Sequence, residues 1–234
     1  MKINKLFTKL LVLAGTAAFS HGASITIGDS GFEANVGGPG AGGDLASGGW
    51  SNNLSTDWEE RDGVDNGASF EEFIPGFSSE GTDHVGVATG YYIWQDTGVA
   101  LQPNTTYTLT VGVGRRGGQT AGGNVSTFAI VSGLTGLGTL ANTAAVLADP
   151  ITLASGSFDA TTIATDLTFV DAPDLVFTTG AVVPSENVVV LLGDNSPGGR
   201  SHFDNIRLDA TAIPEPSTSL LGMLAIFGLM RRRR

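Results

Sequence analysis

Apolar and polar side chains alternate most cleanly between Thr106 and Val113. Tyr107, Leu109, Val111 and Val113 share one side of an extended chain, while Thr106, Thr108, Thr110 and Gly112 share the other, the period-two pattern of a strand with one buried face. Short runs that alternate or are rich in β-branched residues recur at Ser24 to Ile27, His84 to Ala88, Tyr91 to Gln95, Val125 to Val131, Asp174 to Thr178, Asn187 to Leu192 and His202 to Asp209. Turns rich in Gly, Pro, Asn and Asp separate them, such as Leu101-Gln102-Pro103-Asn104-Thr105, where proline presets the backbone. Between residues 24 and 212 no long segment carries apolar residues at helical spacing. The segment Ser132 to Thr165 reads as weak strands and loops, with a helical turn open to Ala141 to Leu147. Many short strands without intervening helices predict an all-β body, an antiparallel β-sandwich of jelly-roll type.

In the run Ser201 to Leu208, strict alternation sets Phe203, Asn205 and Arg207 against His202, Asp204, Ile206 and Leu208. Asp204 then points to the same side as two core-type side chains. An inward carboxylate is costly unless it is hydrogen-bonded, paired or metal-bound.

The two ends follow other patterns. Lys2, Lys5 and Lys9 precede a run from Leu10 to Phe19 that is apolar apart from Gly15 and Thr16, and small residues follow around Ser20 to Ser24. These are the three regions of a secretory signal peptide, a helix over residues 1–23. The break falls after Ser20 or after Ala23, and Ala23 is favoured because the strand alternation starts at Ser24. At the other end, residues 213–234, Pro214-Glu215-Pro216 leads through Ser217, Thr218 and Ser219 into the apolar and glycine run Leu220 to Met230, which stops at Arg231, Arg232, Arg233 and Arg234. Its 11 residues make a short transmembrane helix, since spanning the hydrocarbon layer takes about 20. The arginines would hold this end in the cytoplasm and could snorkel.

The order of these parts resembles the PEP-CTERM sorting signal of Gram-negative bacterial surface proteins. The resemblance implies passage through the secretion translocon, transient inner-membrane anchoring by the tail, and cutting near Pro214-Glu215-Pro216 by an exosortase. The product would be released, or attached at the cell surface or in the extracellular matrix.

Setting the ends aside changes the charge. All three lysines and four of the arginines leave with them, so the body keeps only Arg61, Arg115, Arg116, Arg200 and Arg207 against 22 acids, near −17. Nucleic acid and anionic membrane surfaces are poor partners for such a surface. With no cysteine the body is no disulfide scaffold, and about 190 residues suffice for one core. The acidic segment Asp57 to Glu72 reads as a solvated loop.

Along the body stand, in order, Gly31-Phe32-Glu33, Trp50 after a glycine-rich loop, Gln95 after an aromatic strand, Leu101 to Leu109, and Phe203-Asp204-Asn205-Ile206-Arg207-Leu208. In these motifs the body resembles the galactose-binding-like jelly roll that includes many bacterial carbohydrate-binding modules. In that group the glutamate of the first motif and the aspartate of the last strand share a structural calcium. The resemblance therefore implies calcium at Glu33 and Asp204, joined by Asp29 or backbone carbonyls, an oxygen set of the kind calcium takes. A polysaccharide ligand would stack on aromatic rings, for which Trp50, Trp58, Tyr92 and Trp94 are candidates, with Arg115 beside them.

Catalytic motifs are absent. No Gly-x-Ser-x-Gly elbow, cysteine nucleophile or phosphate loop occurs, and His84 and His202 lie in no metal or triad spacing. The expectation is a body that binds glycan or serves structurally and does not catalyse; the alternative is a glycan-processing hydrolase or an accessory domain of one.

Overall fold

The computed structural model describes residues 22–33, 43–44, 58–60, 69–73, 76–118 and 124–213. The signal helix, the whole sorting motif with its membrane helix, and Trp50 lie outside the described residues.

Among those residues the chain forms β1 (Ala23–Ile25), β2 (Gly43–Asp44), β3 (Glu59–Glu60), β4 (Ser69–Phe73), β5 (Asp83–Ala88), β6 (Tyr92–Ala100), β7 (Thr105–Arg115), β8 (Val125–Ser132), α1 (Thr143–Ala148), β9 (Thr152–Asp159), β10 (Thr168–Asp171), β11 (Leu175–Thr178), β12 (Asn187–Asp194) and β13 (Arg200–Ala212). An eight-stranded sheet runs β10-β7-β13-β5-β4-β2, with β1 added to β13 and β11 to β7; a five-stranded sheet runs β3-β6-β12-β8-β9. Every pairing is antiparallel except the two-residue contact of β2 with β4. The expected β-sandwich is the observed fold. Two parts of the expectation change: β3 and β4 fall within the segment read as a solvated acidic loop, and Thr143–Ala148 is an α-helix, capped by Asn142, whose Oδ1 accepts from Ala145 N at 2.9 Å.

The core lies between the sheets. Tyr107, Leu109, Val111 and Val113 of β7, Val85 and Val87 of β5, and Phe203, Ile206 and Leu208 of β13 meet Ile93, Phe128, Ile130, Val188, Val190 and Leu192 from the other sheet. The alternation of β7 is as its sequence dictates. That of β13 is not. Asp204 is paired with Gly112, yet Arg207 is paired with Thr110, so one extra residue is inserted, and Asn205 stands at φ 52°. This is a β-bulge, with asparagine tolerating the left-handed backbone. The bulge reverses parity: Phe203, Ile206 and Leu208 all reach the core, and His202 and Asp204 point out of the opposite face.

Candidate functional site

That opposite face is covered nonetheless. At Gly114 a Cβ would stand 2.6 Å from the Phe169 ring and 2.7 Å from the Phe77 ring, and at Gly112 it would stand 2.5 Å from the Asp204 carbonyl. The two glycines thus make a floor onto which rings settle and against which the bulge closes. The Phe77 ring centroid is 4.7 Å from both His84 and Phe169 and 5.4 Å from His202, and the two imidazoles are 5.3 Å apart. Phe77, His84 and His202 are buried, while Phe169 is half-buried at the rim.

Asp204 sits beside this cluster with no solvent exposure. Its Oδ2 accepts from Ser79 N at 2.5 Å and Glu80 N at 2.9 Å, and its Oδ1 from Asn205 N at 2.7 Å. Burial pushes its pKa up to about 7; the three N–H bonds pull the other way, and the nearby Glu80 carboxylate adds to the rise. The result is a buried carboxyl group, covered by the turn at Ser79 and Glu80, whose proton affinity is raised toward neutral pH. Strong perturbation by desolvation beside specific partners marks a functional-site candidate.

Glu33 grips the other end of the same turn. Its Oε1 accepts from Thr82 N at 2.6 Å and Asp83 N at 2.8 Å, and its Oε2 from Thr82 Oγ1 at 3.1 Å. The Asp29 carbonyl accepts from Phe32 N at 3.1 Å and Trp58 Nε1 at 3.3 Å. The atoms facing the two carboxylates are therefore mostly N–H donors, which repel a cation, whereas calcium takes six to eight oxygens. Among the described residues no three His, Cys, Asp or Glu side chains come together to hold a metal. As placed, the Glu33 and Asp204 carboxylates face N–H donors and do not fit a calcium cage.

The aromatic residues expected to carry sugar are placed in packing roles. Tyr92 and Trp94, with Ala129, Val131, Val189 and Leu191, form the outer face of the five-stranded sheet, which Leu137, Leu140, Val146, Leu147 and Ile151 of the segment between β8 and β9 cover. Tyr92 donates its hydroxyl to the Leu140 carbonyl at 3.0 Å. Trp58 is buried against Phe32, ring centroids 5.2 Å apart. Arg115 is held by Asp166 at 2.7 Å and donates to the carbonyls of Thr161 and Ile163. The reason is shared: a large ring on an alternating strand stabilises more when covered than when wet, and the polar tips of Tyr92, Trp58 and Arg115 found local acceptors. A hollow of about 260 Å³ lined by Asp96, Glu186 and Asn187 among others includes neither these rings nor Asp204.

Comparison with known families matches residues 23–209 to the model described as HpiC1 cyclase and residues 212–234 to the PEP-CTERM protein-sorting motif. The tail is thus the sorting motif of an exported protein, as its residues indicated. A search of curated proteins finds no match. Among solved structures, the Stig cyclase Fisc from Fischerella sp. TAU in complex with (3Z)-3-(1-methyl-2-pyrrolidinylidene)-3H-indole is similar with TM-score 0.58 and 18% identity over 82% of this chain and 100% of its own. An apo cyclase from Fischerella sp. gives 0.57 and 20% over 82% and 97%. The CBM22-1 xylan-binding domain of Paenibacillus barcinonensis Xyn10C gives 0.47 and 10% over 83% and 98%.

The cyclase match overturns the expectation of a body that does not catalyse. The motifs sought in the sequence belong to hydrolysis and phosphoryl transfer. A cyclase need carry none of them. His84, His202, Phe77 and Phe169 went unselected for the same reason; the available signal was Gly112 and Gly114 in an otherwise threonine-lined strand face.

Proposed function

Since residues 23–209 make this chain a member of the HpiC1-like cyclase family, we propose that it is an exported enzyme in which Asp204 donates a proton to a small, largely apolar unsaturated substrate and so triggers ring closure. The observation that carries this is the fully buried Asp204 carboxyl, whose pKa burial raises to about 7, on the strand face that also carries His202. A general acid works best when its pKa lies near the operating pH. Protonation of a carbon–carbon double bond leaves a cation, an internal π bond or heteroatom closes the ring onto it, and loss of a proton to the Asp204 carboxylate restores the acid. Atoms balance as an isomerisation, and no oxidant is needed.

Support for the substrate class comes from the cluster of Phe77, His84, His202 and Phe169 rings on the same sheet face and from the indole-bearing compounds bound in similar cyclase structures, the second being 4-(1H-indol-3-yl)butan-2-one. For a substrate to reach the buried Asp204, the bonds from Ser79 N and Glu80 N would have to open. The sorting motif supports the rest of the reading: export, exosortase cutting, inner-membrane anchoring before that cut, and delivery to the cell surface. A polysaccharide ligand would need a platform other than Tyr92 and Trp94, and a glycan array on the folded body tests for one.

The direct test is the titration of Asp204 by carboxyl NMR. A midpoint near 7 is the expected outcome, and one near 4 would sink the proton-donor role. Incubation with indolyl alkenes should give ring-closed products of unchanged mass with the wild type and none with Asp204→Asn. Melting with calcium against chelator tests the ion expected at Glu33, Asp29 and Asp204; with the N–H donors in place no shift is expected, and an upward shift returns calcium to the site.

A further inference from the structure

The way β1 seats on β13 bears on where the leader is removed. Ala23 lies opposite Ala210, Ser24 opposite Asp209 and Ile25 opposite Leu208. Gly22 continues this approach. A Cβ at residue 22 would stand 2.7 Å from Thr211 Oγ1, closer than ordinary contact allows. Residue 22 thus lies against the folded body, beside the exposed Thr211 side chain.

We propose that the leader is cut after Ser20, so that the exported chain begins His21-Gly22-Ala23. Leader peptidases read small side chains at the last and third-last positions before the break. Ala18 and Ser20 satisfy both, whereas a break after Ala23 puts His21 at the third-last position. That later break would also remove Gly22 and the first rung of the β1 ladder, leaving Ala210 unpaired on that side. This corrects the preference for Ala23 read from alternation alone: strand pairing starts one residue earlier than alternation indicates. A break after Gly22 has small residues at both positions, Ser20 and Gly22, but discards the residue beside Thr211.

A geometric consequence follows for the exported protein. Because β1 is antiparallel to β13, the new N-terminus lies beside the end of β13, where Ala212 pairs with Thr105 and Ile213 N donates to the Asn104 carbonyl at 2.6 Å. The sorting motif starts at the next residues. Both processing sites therefore flank one pole of the sandwich. Asp204 is eight residues back along β13, about 26 Å at roughly 3.3 Å per residue, so a protein attached through its cut tail holds the Asp204 site away from the attachment.

The proposal rests on export and not on the role of Asp204, and the experiment separates the two. The full chain is produced in a Gram-negative host, and the exported form is read by N-terminal sequencing and intact mass. A start at His21 is expected. A start at Ala23 or Ser24 overturns the cut after Ser20, and an uncleaved precursor overturns the export reading beneath it. Gly22→Val in the full chain gives a second readout. If residue 22 stays in the product, the exported variant melts about 2–4 °C lower, and Thr211→Gly in the same chain restores part of the loss. Identical melting of wild type and Gly22→Val would show that residue 22 had been removed or does not touch Thr211, and either overturns the proposal.

Discussion

The sandwich has two outer faces, and in this protein both are covered, by different chemistry. Over the five-stranded sheet the cover is apolar: Leu137, Leu140 and Val146 lie on Tyr92, Trp94, Val189 and Leu191, and α1 is tied down by Thr143 Oγ1 donating to the Tyr91 carbonyl at 2.7 Å. Over the eight-stranded sheet the cover is a turn that brings Phe77 onto two histidines and backbone N–H groups onto a buried carboxylate. The first arrangement extends the core. The second keeps ionisable groups in a dry place, which costs stability and is retained where chemistry uses it. The contrast teaches that an aromatic strand face is a poor guide to a site, and that a strained, charged one is a better guide.

The largest effect should fall on the apolar face. Trp94→Ala removes a nearly fully buried ring from beneath Leu137 and should cost about 3–5 kcal/mol in urea unfolding; a loss under about 1 kcal/mol would show that the cover is not packed on it. Next comes the pH dependence set by Asp204. Its folded pKa of about 7 lies above the unfolded value of 3.8, so between those values the native state binds the extra proton and stability falls as pH rises. The fall is on the order of 4 kcal/mol as an upper bound. Asp204→Asn should flatten this slope in chemical denaturation between pH 4 and 7, and a slope unchanged by the substitution would remove the buried-acid assignment. The same variant should lower ring-closing activity about 100-fold or more.

A smaller effect sharpens the comparison from the other side. Tyr92→Phe forfeits only the bond to the Leu140 carbonyl and should cost about 1 kcal/mol with the pH slope intact. Smallest of all, Arg207→Ala breaks an exposed ion pair with Asp171, 2.7 Å long, and should change stability by less than about 1 kcal/mol, with the little there is lost at high salt.

Much of the fold is legible in the chain because burial of one strand face imposes a period of two. Tyr107 to Val113 on β7, and Ile93 set against Tyr92 and Trp94 on β6, follow it without exception. β3 and β4 are not legible, since Glu59, Glu60, Glu71 and Glu72 resemble a solvated loop and only the pairing with β6 and β5 makes them strands. The sorting tail is legible for another reason: its recognition depends on order along the chain and not on a fold.

The site divides along the same line. The chain by itself marks Asp204 as a carboxylate that needs a partner, and the resemblance to the galactose-binding-like jelly roll adds Gly31-Phe32-Glu33 as its companion motif. What surrounds Asp204 depends on contacts more than a hundred residues away in sequence, such as Ser79 N and Glu80 N, and no local pattern encodes those. The side to which Asp204 points depends on a single inserted residue at Asn205, which alternation cannot register because a bulge changes parity without changing composition. The order of residues at the two ends and the alternation between them determined that this is an exported β-sandwich with an acid that needs a partner. Only the tertiary structure decided that the acid lies under the turn at Ser79 and Glu80, cut off from water with its proton affinity raised, because desolvation is a property of everything packed around a group and not of the group's place in the sequence.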